Sequence, residues 1–136
     1  MNPRFVTWIP VTVVVLLACA GPRPTPTVPQ DRSRIFSAAL LVAHATGVAI
    51  GQCLDHASML IRAGKEEGFR EYKRCDVDSN AVWTTLVRAY EKQDDGIMAP
   101  CEVREAARYL DDMHQDHLPV VQDALAEAAW AGARCP

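Results

Sequence analysis

The chain has 136 residues, 49% of them apolar and 23% charged, the proportions of a folded protein and not of a disordered one. Its formal charge is -3, with both signs interspersed along the sequence, which excludes the basic patches that nucleic-acid binding requires. The length allows a single small core and excludes two domains.

The N-terminal segment carries one basic residue, Arg4, followed by an apolar run from Phe5 to Ala18. That run is shorter than the about 20 residues of a membrane span but has the length of a signal-peptide core, and Pro10 interrupts it. It closes on Leu16-Leu17-Ala18-Cys19, with small Ala18 directly before the cysteine, Leu16 three residues before it, and a proline-rich tract after it.

This ending resembles the lipobox of bacterial lipoprotein signals, with bulky Leu17 as its departure from the usual pattern. The resemblance covers the first stretch of the chain only, and the family of the mature domain is not recognised from it. It implies that residues 1–18 are a cleaved signal, that the Cys19 thiol carries diacylglycerol, and that its freed amine is acylated with a fatty acid such as palmitate. Several acyl chains, at about 0.8 kcal/mol per buried methylene, hold a protein on a membrane durably. Ala20 stands where enterobacterial lipoproteins retained at the inner membrane carry aspartate. The resemblance therefore implies the cell envelope, lipid-anchored at the outer membrane, with the domain in the periplasm. An ordinary secretory signal, cut elsewhere and discarding Cys19, is the alternative.

Residues 19–32 read as the lipidated cysteine and a linker, because Pro22, Pro24, Pro26 and Pro29 remove backbone donors and favour the polyproline II conformation. The folded part is expected over 33–136. Ser33 is a suitable N-cap for a first helix running to about Ala63, with Gly64 as its left-handed C-cap. Phe36, Leu40, Ala43, Gly47, Ile50, Leu54, Ala57 and Ile61 recur at steps of three and four, the pattern of a packed seam. Ile35 to Ile50 is apolar almost all round and is expected to be enclosed by other helices, a membrane-inserted hairpin being the competing reading.

A short polar helix is expected from about Lys65 to Arg74, then a turn over Asp76–Asn80. The next helix, capped by Asp78 or Ser79, is expected to bury Val82, Trp83, Leu86, Val87 and Tyr90 and to end near Gln93, before Asp94-Asp95-Gly96. Pro100 opens a third helix expected to reach His117, with Val103, Ala106, Ala107, Leu110, Met113, His114 and His117 on one side. Pro119 opens the last, to about Ala133, with Val121, Leu125 and Ala128 inward. No run with the strand period appears, so the fold class is all-α, a small antiparallel bundle of about four helices plus one short helix.

Four cysteines follow Cys19, an even number that in a small exported domain points to two disulfides. Cys53 and Cys75 stand equally far on either side of Gly64, and Cys101 and Cys135 equally far on either side of Leu118. Of the three possible connectivities, antiparallel hairpins turning at those points favour Cys53 level with Cys75 and Cys101 level with Cys135; bridges that cross-link the two halves, the alternative, require a different helix arrangement. Bridges closing loops of this length contribute about 2 to 4 kcal/mol each.

Candidate chemistry is sparse. His114 and His117, near Asp111, are the metal-ligand candidates, and Cys53 and His56 form a second pair one turn apart. Carboxylate-bridged helical metal sites draw a Glu-x-x-His from each of two helices, and here only Asp111-x-x-His114 is present, so no metal or other cofactor is expected. Asp76-x-Asp78-x-Asn80 opens like a calcium loop, but Ala81 replaces the turn glycine and Val87 the closing glutamate. No haem attachment motif, nucleophile elbow or phosphate-cradling loop is present, and Ser58 and Ser79 have no visible base.

The expectation is therefore a non-enzymatic, membrane-tethered module that is structural or binds an envelope protein, with Tyr72, Tyr109 and Trp130 as candidate surface anchors. The anchor and spacer together also resemble, generically, phage and plasmid lysis or exclusion lipoproteins. A metal-binding protein using His114 and His117 is the other alternative.

Overall fold

The computed structural model describes residues 28–92 and 98–136. The expected signal segment, Cys19 and most of the expected linker lie outside them. Four helices make up the described chain: α1 (Val28–Arg62), α2 (Glu67–Glu91), α3 (Pro100–Asp111) and α4 (Pro119–Gly132). They form a ring in which each helix packs on the next and α4 returns to α1, while α1 also reaches α3 across the bundle.

Long-range pairs fix the directions. Arg74 donates to the Asp112 carbonyl at 2.7 Å, Arg88 meets Glu105 at 4.0 Å and Lys92 meets Glu102 at 2.6 Å, so α3 descends as α2 ascends. Arg134 meets Asp31 at 3.2 Å and Arg34 meets Glu127 at 3.0 Å, which sets α4 antiparallel to α1. Each neighbouring pair is therefore antiparallel, as short connections between helices favour.

Both disulfides have the expected pairing. Cys53 and Cys75 lie 5.9 Å apart at Cα, and Cys101 and Cys135 lie 5.0 Å apart, within the range a disulfide permits. The first hairpin turns where Gly64 takes φ +73, left-handed backbone that glycine adopts without a Cβ penalty. Its Gly68 then sits so close to α1 that a Cβ there would meet the Ile61 backbone nitrogen at 2.7 Å. Glycines therefore both turn the chain and bring α2 against α1.

Several expectations are corrected. The first helix starts at Val28 and not near Ser33, since proline is tolerated in a first helical turn, where its missing N–H has no intrahelical role. The short helix and the Asp76–Asn80 turn do not exist as separate features: α2 runs through them unbroken. Inside the helix the turn-forming residues bond locally, Ser79 Oγ donating to the Asp76 carbonyl at 3.0 Å and Asn80 to the Asp76 carboxylate at 3.2 Å. Burial of Cys75, Ser79 and Val82 on one face keeps the helix whole. Asp78 and Ser79 are thus mid-helix and cap nothing.

The third helix ends at Asp111, six residues earlier than expected. His114 takes φ 55, a left-handed conformation uncommon for a non-glycine residue, and the chain turns there before Pro119 opens α4. Val103, Ala106, Ala107, Leu110 and Met113 are buried as expected, whereas His114 and His117 are exposed.

The seam of α1 is also rotated. Of its eight expected members only Ala57 is buried; the inward residues are Ile35, Ala38, Ala39, Val42, Ala45, Ala49, Cys53 and Ala57. The helix is not enclosed. Eleven of the 22 buried apolar residues are alanine, so the helices approach closely around a core of small side chains. Among the described residues no aromatic side chain is buried.

Candidate functional site

Among the described residues half of the buried apolar residues are alanine, and a group of large apolar side chains lies outside on the α1–α2 pair. Phe36 and Leu40 of α1 are 48% and 55% exposed, and Trp83, Val87 and Tyr90 of α2 are 44%, 56% and 61% exposed. The expected burial of Trp83, Val87 and Tyr90 is therefore corrected: only Val82 and Leu86 of that group face inward.

Helical geometry joins these five residues into one surface. Trp83, Val87 and Tyr90 follow the spacing of a single helix stripe, on the flank of α2 turned away from Arg74, Arg88 and Lys92, which face α3. Phe36 and Leu40 lie on the flank of α1 turned away from Arg34, which faces α4. The Cys53–Cys75 bridge sets the level: counting equally far from it along two antiparallel helices places Leu40 beside Arg88, between Val87 and Tyr90. Gly47 is by the same measure close to the level of Trp83.

No Asp, Glu, Lys or Arg occurs from Ile35 through Leu54, although Phe36, Ser37, Leu40, His44, Gly47, Val48, Gly51 and Gln52 in that span are exposed. A solvated helix face ordinarily carries charge. With each aromatic side chain worth about 150 to 250 Å², the five large residues expose on the order of 400 to 600 Å² of apolar surface, the upper range for the largest patch of a monomer, which is often functional.

Two glycines belong to the same surface. Gly64 and Gly68 are required by the fold, through positive φ at the first and close backbone neighbours at the second, and Gly132 has the Arg104 side chain against it. Gly47 and Gly51 are exposed helical positions where an added Cβ would meet nothing within 4 Å. Glycine there costs about 1 kcal/mol against alanine and serves no contact among the described residues.

The expected aromatic anchors fare differently. Tyr72 is 50% exposed and lies on the same stripe of α2. Trp130 is half-buried between two guanidinium groups, Arg34 at 4.0 Å and Arg134 at 3.5 Å from its ring centre, and Tyr109 is half-buried under Arg108. Neither of the latter two is free. The sequence pattern concealed Trp83 and Tyr90 because they adjoin the true inward positions Val82 and Ala89.

A second feature is a cleft of about 380 Å³ lined by residues including Gln52, Asp55, His56, Glu71, Arg74, His114 and His117. It brings together His114, His117 and His56 from different elements, while Asp111 is not part of its lining. Glu71 is clamped by Arg74, whose hydrogen bond holds the carboxyl below its ordinary value; desolvation pushes nearby Asp78 up. The histidine rings do not close on one point. Among the described residues, the one group of three ligating side chains within 4.8 Å is Cys53, Glu71 and Cys75. Its sulfurs are joined in the disulfide, which removes the thiolates a metal requires.

The chain matches no known family model, no curated protein and no solved structure.

Proposed function

We propose that the protein is a lipid-anchored component of the bacterial envelope whose helical domain holds a protein partner through the α1–α2 apolar face. The anchor rests on Leu16-Leu17-Ala18-Cys19 and the proline-rich tract after it, and the same resemblance supports a domain on the periplasmic side of the outer membrane. The observation that carries the binding role is the inversion of side-chain size, with alanine filling half the core while Phe36, Leu40, Trp83, Val87 and Tyr90 stand exposed. Burying large apolar side chains is worth about 1.5 to 3 kcal/mol each, and aromatic residues are the commonest anchors of protein interfaces. A binding role needs no catalytic group and no metal.

Two measurements test the two halves. Metabolic labelling with a fatty acid is expected to tag the full chain and to fail on Cys19→Ala; an unlabelled wild-type chain overturns the anchor. A photoreactive benzophenone side chain in place of Leu40 is expected to give covalent protein adducts in the envelope, whereas the same group in place of exposed Asp123 on α4 gives none. Absence of any protein adduct at position 40 overturns the binding role.

A further inference from the structure

The same surface carries a more specific conclusion, which rests on the proposed binding role: we infer that its occupant is a second copy of this chain, packed α1 against α1 across Gly47 and Gly51. These glycines are four residues apart, so they share one side of the helix, and that side also presents Leu40. Without side chains, the α1 backbone is accessible along this strip, and a second helix can approach closely there. Among the described residues nothing uses that space.

Charge selects the occupant. From Ile35 through Leu54 the face holds no Asp, Glu, Lys or Arg, His44 being its one ionisable exposed side chain, so a copy of it requires no opposite carboxylate, ammonium or guanidinium and buries none unpaired. A membrane surface is the poorer match, because interfacial helices pair an apolar face with a polar face rich in lysine and arginine, whereas beside this stripe on α2 Asp76, Asn80 and Glu91 stand with the single lysine Lys73. Area agrees as well. The exposed apolar side chains, the glycine backbone and flanking Ser37 and His44 together approach the about 800 Å² per partner of a stable interface.

The lipid anchor then sets the direction. At no more than about 3.6 Å per residue, the nine residues from Cys19 to Val28 reach roughly 32 Å. The 35 residues of α1 extend about 52 Å. An antiparallel pair would start its two linkers at opposite ends, too far apart for both anchors to enter one bilayer with the helices upright. A parallel pair, related by a two-fold axis along the bundle, starts both linkers at the same end and aligns Gly47 with Gly47 of the second copy.

The test uses the full chain in the envelope with the benzophenone group in place of Leu40, co-expressed in two forms that differ in epitope tag. The expected result is an adduct of twice the chain mass carrying both tags, lost in Gly47→Leu with Gly51→Leu. That double variant should still fold, because leucine is the better helix former and has open space at both positions; retention of both disulfides checks this. A single-tag adduct with a different protein overturns the dimer while leaving the binding role standing. Adducts with lipid alone, or none, overturn both. A two-tag adduct undiminished in the double variant overturns the glycine contact.

Discussion

Arg34 of α1 grips Glu127 of α4 with two parallel bonds, both 3.0 Å, from Nε and from an Nη nitrogen, while the same guanidinium lies 4.0 Å over the Trp130 ring. The pair joins the first helix to the last and fixes their register near the start of α1. Arg34→Ala is expected to lower Tm by a few degrees, because it removes the fork and uncovers the ring together. Arg34→Lys should recover only part of the loss, since an ammonium cannot form the fork. Calorimetry at low and at 1 M salt separates the contributions: salt weakens the exposed ion pair and leaves the ring contact largely intact.

The two bridges matter more here than in a bundle with a leucine core. Cys53→Ala with Cys75→Ala, or Cys101→Ala with Cys135→Ala, is expected to cost about 2 to 4 kcal/mol in each case, read from denaturant midpoints. A non-reducing peptide map should contain the linked pairs Cys53–Cys75 and Cys101–Cys135. A Cys53–Cys101 link would contradict the hairpin architecture.

Alanine substitutions at glycines should diverge in sign. Gly47→Ala is expected to stabilise the monomer by about 1 kcal/mol through helix propensity alone. Gly68→Ala places a methyl group 2.7 Å from the Ile61 backbone nitrogen and 3.0 Å from the Ala57 carbonyl. Neither atom can rotate away, so a loss of about 1 to 3 kcal/mol is expected. Gly132→Ala meets only the flexible side chain of Arg104 and should cost less. Urea denaturation of the three variants with disulfides intact reads the order directly.

Acid should weaken the fold. Glu71 is held below its ordinary value of 4.5 first by the Arg74 hydrogen bond, Glu102 by that of Lys92 and Glu127 by that of Arg34. A carboxylate depressed in the folded state contributes stability that is complete above its unfolded pKa and is lost as pH falls through the folded value. Asp78 acts with the opposite sign: burial raises it, so its protonation relieves a penalty. With three groups against one, Tm is expected to be level above pH 5 and to fall below about pH 4.5. Glu71→Gln should flatten that fall; an unchanged slope would remove the Arg74 pair from the account.

The sequence by itself determined the all-α class, the positions of Gly64, Pro100 and Pro119 at helix boundaries, and the pairing of four cysteines. Each of these comes from local backbone chemistry or from symmetric distances along the chain, which tertiary packing did not alter. Tertiary structure decided that Asp76–Asn80 is helix, because Cys75 is tied to Cys53 and Ser79 and Val82 are buried, an advantage that outweighs the turn preference of Asp, Ser and Asn. It also decided which face of α1 turns inward. Around Ile35 to Ile50 apolar residues occupy nearly every angle, so periodicity defines no unique seam there. Close approach of four helices selects the small residues Ala38, Ala45 and Ala49 for the inside and leaves Phe36 and Leu40 outside.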